Sequence, residues 1–506
     1  MSVPPVENTI ATGQPLRKIW IALPFVFLLW AGLHTPFLVL DFWWHLKLGE
    51  VIVTTQSIPS TDLFSFTAEG RPFIAQNWLA EVLLFLFYRV AGLEGLVIVG
   101  TALILATLFL IHRISRRDVS DVRVVAVADL LVVVGLMLCS NLRTQLFSFL
   151  FFAIAYWALD DFHRGRWKKL AVLPPLMLLW VNMHGAFVFG LLLFVVYLIA
   201  VSLPAFVAGM VRETRDLLLR GTVLLLLTAL ATLANPSGWR VYEYVAEVSR
   251  DPASRTYVQE WQPPRIDEPE MLMAVFGPVV LVLVAIVVSR RRPPAIEVLL
   301  VLMFLAFALN SRRNAIWFSI IAGPIFARQL AQFPWGRLGA RFRSSAVPSA
   351  NSRRILNAAI VAVLVALSAV FSPWVYPHLG NERLGTSLLD KRTPVAAVDF
   401  IESHGLFGRL FHPQIYGDYL IWRLWPRQKT FIDGRVHLFP AEIADGYIQA
   451  MNAMEWERWF DRWQIERVLL SKDEPDARAL LLEVGKSPSW ELLFEDNRSA
   501  LFARRR

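Results

Sequence analysis

The chain has 506 residues, 56% of them hydrophobic and only 18% charged, with a mean hydropathy of +0.49. A water-soluble domain carries about 25% charged residues, so the composition excludes an ordinary soluble protein. The formal net charge of +9 reads as basic loops on the inner side of a membrane protein, not as a nucleic-acid footprint.

The predicted elements begin with a cytoplasmic tail, residues 1–18. A membrane-crossing helix needs roughly 20 mostly apolar residues. Eleven stretches qualify as candidates, near 19–39, 95–113, 124–140, 145–160, 170–183, 186–206, 219–234, 271–289, 295–309, 315–330 and 355–372. The first runs too long for a signal peptide and has no small-residue cleavage site after it, so it reads as an anchor. The single cysteine, Cys139, lies in one of these runs and reads as a small buried apolar residue. It excludes an internal disulfide and a thiolate metal cluster.

Orientation follows from the short loops. With the N-terminus inside, the inner segments hold Arg17, Lys18, "HRISRRD", "HRGRWKK", "RETRDLLLR", "SRRRPP" and the basic stretch 328–354. The C-terminus is then expected outside. Two external loops are long, 41–94 and 236–269. Within the first, "NWLAEVLLFLFYRVAG" is apolar but short and carries Glu81 and Arg89, the pattern of a helix lying in the interface. The multi-spanning part covers 19–372.

After residue 373 helical and extended patterns alternate. "TPVAAVDFIESHG", "YLIWRLW", "AEIADGYIQAMNAM" and "ARALLLEVG" read as helices. "GRLFH", "KTFIDGR" and "IERVLLS" read as extended, with "WELLFED" and "SALFARR" as a closing hairpin. This is expected to be a soluble external α/β domain, residues 380–506, folding on its own. The fold class is therefore mainly α, with about eleven transmembrane helices and a C-terminal α/β domain.

Polar groups at span ends are costly and tend to be functional. On this topology they gather at the outer ends: Asp41 and His45, Arg143, His184, and Arg312 and Arg313. A transporter places such groups near mid-membrane instead. Each residue also has a structural reading. Asp41 can terminate a span, and Trp43 and Trp44 can belong to the interfacial belt. His45 can bond a loop carbonyl, and His184 can be a helix-end hinge beside Gly185. Arg312 and Arg313 can snorkel to lipid phosphates.

"DFWWHLKLGEVIVTTQSIPSTDLFSFTAEGRPFIAQNWLAEVL" resembles the first external loop of the type C membrane glycosyltransferases, as do "NLRTQLFSF", "LWVNMHGAF", "ANPSGWRVYEY", "SRRNAIWF" and "YGDYLIWRLWPRQKTFIDGR" in scattered segments. "YGDY" is similar to a motif of the external domain of oligosaccharyltransferases. The resemblance implies a bacterial inner-membrane enzyme of the cell envelope. It would move a sugar from a polyprenyl-phosphate donor to a glycan, lipid or protein acceptor, with inversion. Members often carry paired acidic residues where Asp41 stands alone before Phe42, so a divalent cation is left open and a second carboxylate would come from Asp62, Glu81 or Glu260. On this reading Asp41 is the general base, and Trp44, His45, Glu81, Arg143, His184, Arg312 and Arg313 bind substrate. The arginines suit a leaving phosphate because a planar guanidinium donates two hydrogen bonds. The rival expectations are a transporter or flippase of lipid-linked sugars and a non-catalytic membrane scaffold.

Overall fold

A computed structural model of the protein describes residues 17–38, 40–138, 141–207, 212–333, 350–370, 375 and 388–505. Most of the N-terminal tail, Cys139 and part of the inner basic stretch fall outside these residues. In chain order the membrane part holds α1 (Arg17–His34), α2 (Phe42–Thr55), α3 (Trp78–Ser115), α4 (Val122–Leu138), α5 (Gln145–His163), α6 (Leu173–Trp180), α7 (Phe187–Val207) and α8 (Arg212–Ala231). There follow α9 (Arg240–Arg250), α10 (Pro252–Tyr257), α11 (Pro269–Met271), α12 (Gly277–Val288), α13 (Ala295–Asn310), α14 (Ala315–Ala331) and α15 (Ala350–Val370).

Among the described residues five segments are long and apolar enough to cross a membrane: Arg17–His34, Trp78–Ser115, Gln145–His163, Arg215–Ala234 and Pro269–Val288. Large apolar side chains such as Phe109, Ile199, Leu226 and Val287 stand exposed on these and neighbouring helices, as a lipid-facing surface requires. The interior is close-packed: Trp180 and Trp317 are fully buried, and Phe149 and Phe152 meet Trp317 edge-on.

Three expectations change. The expected first external loop opens with a helix, α2. Its side chains are buried nearly all round, from Phe42 to Gly49, so no one-sided pattern marks it. The interfacial helix and the following span form one helical run, α3, broken at Gly92 (φ 65°, ψ −164°), a conformation glycine adopts without steric cost. The expected span 170–183 is a 3₁₀ turn, Trp167–Val172, followed by α6. The six 3₁₀ residues and eight α-helical residues together rise about 24 Å, a short crossing of the ~30 Å hydrocarbon layer.

The C-terminal part contains α16 (Val395–Ser403), β1 (Leu410–Phe411), α17 (Gln414–Leu424), α18 (Ala441–Met451), α19 (Trp456–Arg462), β2 (Arg467–Ser471), α20 (Arg478–Lys486), β3 (Trp490–Glu495) and β4 (Ser499–Arg504). The strands form one sheet in the order β1-β2-β4-β3, with β1 parallel to β2 and the other pairs antiparallel. "KTFIDGR" is not a strand of this sheet. Thr430 makes a single bridge to Ser65 of the first loop, and the chain then turns through Gly434.

This part shares its core with the first loop. Trp44, Leu48, Val51, Ile52, Phe64 and Phe73 of the first loop pack in one apolar cluster with Phe411, Phe431, Phe460 and Val468. Trp43 meets Tyr419 edge-on at 5.3 Å. Backbone pairing joins the two as well: Phe37 N–H donates to the Leu388 carbonyl at 2.8 Å, and Asp390 N–H to the Phe37 carbonyl at 2.9 Å.

Candidate active site

α1 ends at His34, and Pro36 soon follows. Asp41 then sits at φ 55° and ψ −53°, at the N-cap of α2. A non-glycine residue there costs of order 1–3 kcal/mol and needs outside support. The support comes from α17: the Asp41 N–H donates to Asp418 Oδ2 at 2.5 Å. The other oxygen, Asp418 Oδ1, accepts the Gly434 N–H at 2.8 Å. A Cβ on Gly434 would lie 2.6 Å from Asp41 Oδ1 and 2.8 Å from Asp418 Oδ2, so only glycine lets both carboxylates approach.

The Asp41 side chain does not cap α2. It faces Arg143 Nη1 at 3.0 Å, from the turn before α5. That same nitrogen lies 2.7 Å from Glu260, in the second external loop. Glu260 faces Arg313 at 3.6 Å, and Arg313 lies over the Trp261 ring at 4.1 Å. Four charges of alternating sign thus run Asp41, Arg143, Glu260, Arg313, each from a different segment. Burial raises the pKa of Asp41 above the ordinary carboxylate value, with Arg143 opposing. Burial also pushes Glu260 up, but Arg143 and Arg313 outweigh it and hold Glu260 at about 2. Asp418 lies well above the ordinary range, because it is buried and near Asp433 and Asp41.

His45 follows Asp41 by four residues, on the same side of α2. Its Nδ1 lies 2.7 Å from Glu81 Oε1, and its ring centroid lies 3.7 Å from that of Trp44, tilted by 30°. Among the described residues Glu81 Oε2 and Asn77 Oδ1 are buried without a hydrogen-bond partner, whereas the Trp44 side chain hydrogen-bonds Asp41. Buried polar atoms are almost always paired, so these two are left for a water or a polar ligand.

The remaining expected residues lie around this centre in different roles. His184 accepts the Ala186 N–H at Nδ1, 3.2 Å away, and meets Ser148 Oγ at 3.0 Å. Burial, with Arg313 and His45 nearby, drives its pKa down to about 3, so it is a neutral brace of the turn between α6 and α7. Arg312 is taken up by a bidentate pair with Glu268, at 2.8 Å on both sides. Asp62 is bound to Arg435 at 2.7 Å, and Arg435 to Asp433 at 2.6 Å, with all three buried.

Sequence reasoning missed Asp418, Gly434 and Arg435. The "YGDY" and "FIDGR" segments carried the signal: two aspartates in an apolar domain, one beside a glycine. Among the described residues no three His, Cys, Asp or Glu side chains converge in ligating geometry, and the cation facing Asp41 is Arg143.

No protein-family model and no curated protein matches the sequence. The fold does match solved structures of membrane glycosyltransferases, and the likeness is one of fold. The oligosaccharyltransferase of Archaeoglobus fulgidus, tethered with an acceptor peptide containing the NVT sequon, superposes with a TM-score of 0.55 at 11% identity, over 97% of this chain and 74% of that one. The same organism's AglB, in complex with an inhibitory peptide and a dolichol-phosphate, gives 0.52 at 12% identity, over 90% and 70%. The mycobacterial arabinofuranosyltransferase AftD gives 0.53 at 13% identity, over 96% of this chain but 41% of its own length.

Proposed function

We propose that the protein transfers a sugar from a polyprenyl-phosphate donor to an acceptor hydroxyl at the outer membrane surface, with inversion. The observation that carries this reading is the place of Asp41. It sits at the exit of the first apolar helix, ion-paired to Arg143 and fixed from the C-terminal part by Asp418. A lipid tail holds the donor phosphate at headgroup level, and a base at that depth meets a water-borne acceptor. Asp41 takes the acceptor proton as the hydroxyl attacks the anomeric carbon. Arg143 and Arg313 receive the phosphate, leaving the carboxylates that now face them, and stabilise its charge as the bond breaks. Trp44, His45 and Glu81 present a ring and an unpaired polar atom to the sugar. The C-terminal part covers the site and selects a glycan, lipid or protein acceptor. In this reading the chain crosses a bacterial inner membrane with its N-terminus inside and residues 388–505 outside, and the short α6 region with its 3₁₀ turn counts among the eleven expected spans.

Fold similarity to AglB and AftD supports the class, and the charge chain supports the site. The test is product formation from a radiolabelled polyprenyl-phosphate sugar in proteoliposomes. Asp41→Asn keeps the size and removes the basicity. It should retain donor binding and lose about 10²–10⁴-fold in rate. Equal rates would leave the flippase and scaffold readings ahead. Reporter fusions at Arg117, Arg292 and the C-terminus test the orientation.

A further inference from the structure

A second charged centre lies at the other end of the bundle. α3 and α5 both run from the Asp41 region to this end, where Arg113, Arg116, Arg117, Trp157 and Lys169 line a cavity of about 420 Å³. The cations are not all of one kind. Arg117 binds Asp160 and Asp161, and Lys169 binds Asp161. Lys169 also lies over the Trp157 ring at 3.8 Å, with Arg117 at 5.7 Å. These contacts fix the cavity floor. Arg116 is different: its Nη1 donates to the Val119 and Ser120 carbonyls, at 2.8 and 2.5 Å. Neither Arg113 nor Arg116 makes an ion pair within 4.0 Å among the described residues, although Asp121 and Asp129 lie within electrostatic reach of Arg116. Burial, with the neighbouring Arg17, holds Arg116 below the ordinary guanidinium pKa against the opposing pull of Asp121 and Asp129.

The surroundings say which anion fits. Phe109 is 53% exposed on α3 and precedes Arg113 by four residues, one helical turn. An acyl chain can lie along Phe109 while its phosphate reaches Arg113. Trp157 lies toward the end of α5, where a span meets the headgroup layer that indoles favour, and basic pockets between helices bind anionic headgroups. We infer that this cavity binds the phosphodiester of an anionic phospholipid, held by Arg113 and Arg116 over Trp157, on the membrane face away from Asp41. The site is separate from the transfer chemistry and does not rest on it.

The test uses delipidated full-length protein in neutral detergent. Thermal midpoints are followed on titration with phosphatidylglycerol, phosphatidylcholine or inorganic phosphate. Phosphatidylglycerol should raise the wild-type midpoint, and the other two should leave it unchanged. Arg113→Gln/Arg116→Gln should weaken the response about thirtyfold in lipid concentration, the loss expected for two cations at a membrane surface. If that variant fails to insert, Arg113→Gln alone carries the comparison, because Arg113 is exposed and makes no ion pair among the described residues. An unchanged response in the variant that inserts overturns the site. An equal shift with phosphatidylcholine overturns the headgroup selectivity, and an equal shift with inorganic phosphate overturns the lipid assignment.

Discussion

The backbone N–H of Asp41 and the side chain of Asp418 meet at 2.5 Å across 377 residues of sequence. One carboxylate thus holds the strained backbone of another, and the membrane part and the C-terminal part complete one site. Gly434 sits against both. Gly434→Ala should force the pair apart and lower transfer about 10²-fold, the cost of a displacement near 1 Å in a catalytic geometry. Donor binding, which uses the arginines, should change little. Normal kcat in this variant would show that the pair is not needed.

The arginines divide by their partners. Arg143 and Arg313 face the charge chain, whereas Arg312 is tied to Glu268. Arg143→Ala and Arg313→Ala should each weaken donor binding about tenfold to a hundredfold, the scale of a hydrogen bond to a charged group. Arg312→Ala should leave donor affinity alone and lower the melting temperature, because it frees the second external loop. Equilibrium binding of the labelled donor, measured beside melts of all three, separates the two outcomes.

Arg435 joins the first loop to the C-terminal part through Asp62 and Asp433. Arg435→Met leaves two buried carboxylates without their cation, a loss of about 3–5 kcal/mol. Asp62→Asn/Arg435→Met/Asp433→Asn removes all three charges and should recover much of that stability. Melting in detergent reads both. Residues 388–505 expressed alone should aggregate or remain molten, because Trp44, Phe64 and Phe73 complete their apolar cluster. A cooperative melt of that fragment would restore the expectation of an independent domain.

The sequence alone supported the membrane class, the helices near most expected spans, the closing hairpin and the placing of Asp41, His45 and Arg143 at helix ends. Apolar length and span-end polarity are local signals. α2 escaped because its buried residues face neighbours on every side and show no stripe. "KTFIDGR" was misassigned because its apolar residues pack against Phe66 and Phe411 and not within a sheet. Asp418 was out of reach for a different reason: its partner is set by tertiary folding, which no spacing within either segment encodes. The commitment of Arg312 to Glu268 is likewise a long-range fact.

The pH dependence follows from the signs of the shifts. Burial raises the Asp41 pKa, Glu260 raises it further, and Arg143 opposes both. A base must be ionised, so transfer should fall as pH drops through this raised value. The acid limb of the pH–rate profile should lie above the ~3.9 of an unperturbed aspartate. Glu260→Gln removes a negative neighbour, so the limb should move to lower pH; a shift the other way would show that Asp41 does not set it. The same signs bear on stability. A carboxyl whose folded pKa is raised stabilises the fold while protonated, and that contribution is lost as pH rises through the folded value. Glu260, held at about 2, works in the opposite sense, and its contribution is lost only as pH falls toward that value. At neutral pH the ionised Asp41 is therefore a cost to the fold, so Asp41→Asn should melt no lower than wild type while its transfer rate collapses. A residue that is expensive to keep ionised and unnecessary for folding is retained for its chemistry. A melting temperature well below wild type would instead make Asp41 a structural terminator of α1.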